Sequence, residues 1–275
     1  MAESSQAHSL PADAGRADIH CHILPALDDG AEDLEMSVAM ARLAAEDGTT
    51  DLAATPHANY QFAFSPERNR ELKAQLEARL DGKLRLHLGC DFHLSIENIQ
   101  DALQNFGKYS LNGGRYLLVE FPDPFHPPAH ERGLAQLIEA GYVPVLTHPE
   151  RNRVFQTHTR LISDFIRLGC IVQVTGGAFL GSWGRAAQKN AEELLSHDLV
   201  HVIASDGHAP RNRSPRLAEA AARIAELRDE AVANALSRDN PQAILRNQEL
   251  AYHPRPAPES KKTSLLARLG LAGRS

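Results

Sequence analysis

The chain has 275 residues, of which 43% are hydrophobic and 23% charged, with fourteen histidines, three cysteines and a net charge of −6. That length suits one large domain, and the composition excludes wholesale disorder and a disulfide scaffold. The negative balance argues against a sequence-blind nucleic-acid binder, which needs a basic face. No apolar run nears the roughly eighteen residues of a membrane-spanning helix. The opening MAESSQAHSLPADAG lacks the basic start and apolar stretch of a secretory signal, so a cytoplasmic protein is expected.

In chain order, short apolar runs predict strands over Asp18–His22, Asp51–Thr55, Leu84–Cys90, Tyr116–Phe121, Val143–Thr147, Cys170–Thr175 and His201–Ser205. Between the first two lies AEDLEMSVAMARLAAEDG, with Met36, Met40 and Leu43 at helical spacing, Asp29 or Gly30 as N-cap and Gly48 at C′. PERNRELKAQLEARLDG repeats the design, with Pro66 near N1 and Leu72, Leu76 and Leu80 four apart. Further helices are expected near Ala129–Ala140, His158–Leu168, Gly184–Ser196 and Pro215–Leu227. Strand-then-helix units in series imply a parallel sheet. At this length a (β/α) barrel, seven-stranded or distorted, fits better than an open sheet, and no strand is followed by a dinucleotide or P-loop glycine motif. Residues 1–16 read as a polar arm and 17–250 as the barrel. Residues 251–275 read as a Pro-rich linker with a short basic amphipathic tail.

The chemistry gathers where strands end. Strand one delivers His20 and His22, which share a face while Cys21 takes the other. His57 follows strand two, Asp91 and His93 end strand three, and Glu120 ends strand four. The fifth strand runs into His148, Glu150 and Arg151, and the seventh into Asp206, His208, Arg211 and Arg213. All fall on the C-terminal rim, where barrel enzymes build their sites. Any one of them has an ordinary explanation as a turn former or a hydrogen-bonded core residue; six strand ends on one rim do not. Such a cluster of imidazoles and carboxylates needs cations, and its N/O donors suit Mn²⁺, Fe or Zn²⁺, with Mg²⁺ also accommodated. Arg151 and Arg213 beside it suit a phosphate, which guanidinium groups bind in bidentate fashion. Cysteine-dependent phosphatase chemistry is excluded: six residues after Cys21, Cys90 and Cys170 stand Leu27, Ile96 and Gly176 rather than Arg. No Gly-x-Ser-x-Gly elbow is present.

DIHCHILPALDDG, ATPH, LLVEF, THPERN and ASDGH resemble the polymerase and histidinol phosphatase (PHP) superfamily. Within it they are most similar to the manganese-dependent tyrosine-protein phosphatases of the CpsB/CapC type, in the same motif order from about residue 17 to 247. The resemblance implies a distorted (β/α)7 TIM-like barrel with up to three Mn²⁺ ions. His20, His22, Asp29, His57, Glu120, His148, Asp206 and His208 match the family's metal-ligand positions. Asp91 falls where relatives carry a bridging Glu, one methylene longer. Arg151 and Arg213 match its phosphate-binding arginines, and His208 is a further catalytic candidate as proton donor. The implied substrate is phosphotyrosine in the tail of an autophosphorylating bacterial tyrosine kinase that controls capsule or exopolysaccharide synthesis. Closely spaced cations would acidify a water to give the attacking hydroxide. The rivals are a PHP phosphoesterase acting on a small molecule such as histidinol phosphate, an amidohydrolase lacking an evident bridging lysine, and a barrel that only docks a kinase.

Overall fold

The computed structural model describes residues 15–121 and 127–254; most of the polar arm, His126 and nearly all of the C-terminal tail lie outside them. Among the described residues nine strands run in parallel: β1 Arg16–Cys21, β2 Thr49–Ala54, β3 His57–Ala58, β4 Arg85–Leu88, β5 Asp91–His93, β6 Tyr116–Glu120, β7 Val143–Thr147, β8 Ile171–Thr175 and β9 Val202–Ala204. They form two sheets, ordered β1-β2-β4 and β3-β5-β6-β7-β8-β9.

Two interruptions turn nine strands into seven staves. Pro56 has no N–H to donate, so β2 stops short of it and β3 resumes beyond. The neighbouring stave breaks at Gly89–Cys90, between β4 and β5, and the two stay in register through Gly89 N–H to Ala54 O (3.0 Å) and Asp91 N–H to Pro56 O (3.1 Å). The ring closes where Asp206 N–H donates to His20 O (2.9 Å) and His22 N–H to Gly207 O (2.8 Å). The expected seven-unit (β/α) barrel is present. The predicted strand Leu84–Cys90 is Arg85–Leu88 alone, and its stave continues as Asp91–His93 in the other sheet, as the second stave continues at His57–Ala58.

Alternation fills the lumen. Leu118, Val145 and Ile171 lie two residues before Glu120, Thr147 and Gln173, so each shares a face with a residue nearer the mouth. Ala243, Ile244 and Leu245 join the same apolar cluster from the helix Asn240–Leu245. Outside, Cys21 packs with Val38, Met40 and Ala41 of the helix Leu34–Glu46, opposite the histidines as the alternation predicts. All three cysteines are free and buried.

The helix Leu34–Glu46 starts later than expected. Its N-cap is Asp33, whose carboxylate accepts from Met36 N–H, rather than Asp29 or Gly30. Residues 26–31 are committed to a loop closed by Ala26 N–H to Ala31 O and Ala31 N–H to His22 O. The buried stripe is Ser37, Val38, Met40, Ala41 and Ala44, with Met36 and Leu43 at its edge. Helices Ile96–Gln104 and Glu230–Asn234, and the π turn Ala235–Asp239 that runs on into Asn240–Leu245, were not expected from the spacing. No helix among the described residues is long and apolar enough to cross a membrane.

Candidate metal centre

Strand register levels the rim: His57 pairs with Asp91, and His93 with Glu120. The loops beyond β7 and β9 add His148 and Asp206, both in the left-handed region (φ 37° and 51°). Arg213 shares that conformation at φ 58°. Three non-glycine residues held there at one mouth are backbone conformations that the surroundings must impose.

Three groups of donors converge: His22, Asp29, His57 and His208; His20, His22 and Asp91; and His57, Asp91 and Glu120. Within each group the donor atoms lie inside 4.8 Å of one another. His20 Nε2 is 3.5 Å from both Asp91 Oδ2 and Asp206 Oδ1. His57 faces Asp29 Oδ1 at 3.4 Å through Nε2 and Asp91 Oδ2 at 3.3 Å through Nδ1. His208 Nε2 is 3.3 Å from Asp29 Oδ1, and His148 Nε2 is 3.8 Å from Glu120 Oε1. Buried partners at such separations are too loose for good direct hydrogen bonds. His57 Nδ1, His208 Nε2 and both Asp91 oxygens have no hydrogen-bond partner among the described residues. Among those residues His20 Nε2 and His22 Nε2 hydrogen-bond only to each other, at 3.2 Å. Buried polar atoms are normally satisfied, so the four unpaired atoms within this N/O donor set fit metal ions.

The outer faces of the rings are tied down. His22 Nδ1 meets Asp28 Oδ2 at 2.7 Å, and Asp28 also accepts from Gly30 and His57 N–H. His20 Nδ1 meets Gln173 Oε1 at 3.0 Å, and His208 Nδ1 meets Asp206 O at 2.9 Å. Each bond aims the other nitrogen, Nε2, into the cluster, the arrangement that supports a metal-binding imidazole. Asp28 and Gln173 were not singled out in the sequence. Gly30 makes the loop possible, since a Cβ there would lie 2.1 Å from His22 O. Gly30→Ala is therefore expected to destabilise the fold by about 1–3 kcal/mol and to shift His22; thermal unfolding and metal content check it.

Electrostatics point the same way. Burial lowers the affinity of His22 and His57 for protons, yet the carboxylates outweigh it. Asp28 and Asp206 hold His22 at about 9. Asp29, Asp91 and Glu120 hold His57 at about 11. Burial works against the Asp206 carboxylate, but Arg151 and His20 keep it well below the usual range. Burial lowers the proton affinity of His148, with Arg151 adding to it, and burial also lowers that of His208, so the demand for positive charge centres on His22 and His57.

The two arginines meet at Asp206. Arg151 Nη1 and Arg213 Nη2 each lie 2.8 Å from the same oxygen, Oδ2, while Oδ1 faces His20, His22 and His208. The mouth is a cavity of about 590 Å³ lined by both arginines, Trp183 and six of the predicted site residues, among them Asp29, His57 and His148. His93 Nδ1 lies 3.7 Å from Glu120 Oε2, the oxygen that His57 Nδ1 also faces at 3.7 Å. Glu150 is fully buried under the turn Pro149–Arg151, accepting from Thr175 N–H, and burial pushes it up to about 7.

The sequence profile described as "Capsular polysaccharide synthesis, CpsB/CapC" matches residues 16–246. The chain belongs to the CpsB/CapC family. It is 34% identical over 249 residues to the tyrosine-protein phosphatase YwqE of Bacillus subtilis, covering 89% of this chain and 97% of that protein. It is 31% identical over 201 residues to the putative tyrosine-protein phosphatase CapC of Staphylococcus aureus, covering 71% and 78%. A chain from the crystal structures of B. subtilis YwqE and Streptococcus pneumoniae CpsB, metal-dependent tyrosine phosphatases, superposes with a TM-score of 0.80 at 33% identity, covering 88% of this chain and all of that one. A β-aspartyl dipeptidase from Fervidobacterium islandicum, at 13% identity and TM-score 0.52 over 84% of this chain and 74% of that one, shares the barrel fold alone. The barrel expected from the motifs is thus the fold of CpsB/CapC relatives.

Proposed function

We propose that this chain is a metal-dependent protein-tyrosine phosphatase. It acts on phosphotyrosines in the tail of a bacterial tyrosine autokinase in capsule or exopolysaccharide synthesis, in the cytoplasm, with Mn²⁺ as the working metal. The observation that carries the reading is Asp206, whose one oxygen faces the imidazole cluster while the other anchors two arginines. A metal site and an anion clamp thereby share one carboxylate. The relatives' names and the family description supply the substrate class and the capsule setting.

His20, His22, Asp29, His57, Asp91, Glu120, His148, Asp206 and His208 would hold up to three ions; His22, His57 and Asp91 each belong to two donor groups, and Asp91 is the one anion among them. When bound, the ions supply Lewis acidity and lower the pKa of water at the site. Arg151 and Arg213 present planar forks to the phosphoryl oxygens and stabilise the charge that redistributes among them. A tyrosyl leaving group, with a phenol pKa near about 10, asks less of a proton donor than an alkyl alcohol does. His208 has Nδ1 bonded to Asp206 O and Nε2 beside Asp29 Oδ1, so it would serve as proton donor only where its Nε2 does not hold an ion.

Release of phosphate from a phosphotyrosine peptide, measured beside histidinol phosphate, tests the substrate class. The expected result is manganese-stimulated release that favours the peptide; equal or better turnover of histidinol phosphate would turn the reading to a small molecule.

Metal loading is also expected to release protons. His22 and His57, held at about 9 and about 11, are protonated at neutral pH without metal, whereas ligation needs the neutral ring. Affinity for Mn²⁺ should therefore rise with pH between about 6 and 8. Calorimetry in buffers of different ionisation heat reads the proton count directly, and a count of zero would contradict the electrostatic account.

A further inference from the structure

Trp183, the chain's one tryptophan, precedes the helix Gly184–Ser196 and stands half-buried at the mouth. The Arg151 guanidinium carbon lies 4.0 Å from the indole ring centre and that of Arg213 lies 5.0 Å away. These are the two arginines that share Asp206 Oδ2. Two like charges on one oxygen repel, and a carboxylate oxygen fixes the end of a guanidinium without fixing its plane. An aromatic face supplies what is missing: it attracts both cations and orients the flat groups against itself.

We propose that Trp183 is a positioning residue for the phosphate clamp, holding the Arg151 and Arg213 planes in the orientation that receives phosphoryl oxygens. This rests on the reading of the mouth as a phosphate site. The indole carries no ligand group of the metal cluster and reaches it by way of the two arginines, so its loss should weaken anion binding and leave metal content intact. Without it, each arginine must be ordered by the substrate itself, at a cost in side-chain entropy.

The test uses the manganese-loaded protein with inorganic phosphate as the probe. Because Trp183 is the only tryptophan, its emission reports on the clamp, and phosphate should change it saturably at the concentrations that inhibit. Arg151→Lys, which keeps the charge but loses the planar face, should shift that titration by about tenfold or more. Trp183→Ala should raise both the phosphate inhibition constant and KM for a phosphotyrosine peptide by about tenfold, with kcat changed by less than about threefold. Trp183→Phe, which retains a ring face, should recover most of the loss.

Emission indifferent to inhibitory phosphate, or a Trp183→Ala inhibition constant within about twofold of the parent, would overturn the inference. The emission titration needs no substitution at Trp183, so a misfolded alanine variant does not remove the test. The titration itself needs no turnover, and only its comparison with inhibition does: a protein whose emission titrates saturably with phosphate, with the Arg151→Lys shift, but which hydrolyses no phosphomonoester overturns the functional reading and leaves the positioning role standing.

Discussion

Asp206→Asn is expected to lower kcat/KM on a phosphotyrosine peptide by about 10³-fold or more, the size seen when a preorganised charge is removed from a reaction site. The side chain is buried, with Oδ1 toward His20, His22 and His208 and Oδ2 accepting from both arginines. An amide cannot serve both directions. With its nitrogen toward the arginines it repels them, and with its nitrogen toward the imidazoles it withdraws the oxygen that a metal would take. Either way the carboxylate charge that two half-buried guanidinium groups require is gone, and uncompensated buried charge is costly. The backbone is not the cause, because Asn tolerates the left-handed conformation at φ 51° as well as Asp does. Steady-state kinetics with metal analysis of the same sample checks it; a loss below about tenfold would show that the shared carboxylate is dispensable.

The second large effect is expected at Asp91. It belongs to two of the three donor groups, is fully buried, and has neither oxygen hydrogen-bonded. Asp91→Asn should remove more than one metal equivalent per chain and abolish detectable turnover, because two groups lose their common anion. Asp91→Glu restores the residue that the family resemblance implies at this position. Its extra methylene lengthens a fully buried side chain that borders the mouth cavity, so a stability cost of at most about 1–3 kcal/mol is expected, with metal binding retained. Metal content by mass spectrometry and thermal unfolding of the three proteins separate charge from length. Equal metal content in all three would remove Asp91 from the site.

Much of the mouth was legible because a strand's two-residue period and its end are both readable. His20 and His22 with Cys21 between them, Glu120 closing LLVE, and Asp206 and His208 after β9 stand where spacing put them. The arginines were legible as neighbours of those ends. Asp29, expected in part as a helix cap, faces His57 and His208 instead, since the loop 26–31 carries the chain across the mouth before the helix begins. What stayed hidden depends on contacts distant in sequence. Trp183 meets Arg151 and Arg213 across some thirty residues in each direction, and Gln173 reaches His20 from two strands away around the barrel, 153 residues on in the sequence. No local pattern marks such pairs. The C-terminal helices were missed for a different reason. A π turn at Ala235–Asp239 shifts the helical period just before Pro241, so apolar spacing does not repeat. Helix Ile96–Gln104 carries Ile96 and Leu103 on its exposed side as well as Ile99 and Ala102 on its buried one, which blurs the amphipathic stripe.

The account's central claim is that this imidazole and carboxylate cluster holds the metal on which phosphotyrosine hydrolysis depends. The most direct measurement follows metal content per chain and phosphate release from a phosphotyrosine peptide in one preparation, before chelation, after it, and after Mn²⁺ is restored. Metal and activity should fall together and return together, with His20→Ala deficient in both throughout. Hydrolysis that persists in metal-free protein, or a fully loaded site that releases no phosphate from the peptide, would contradict it.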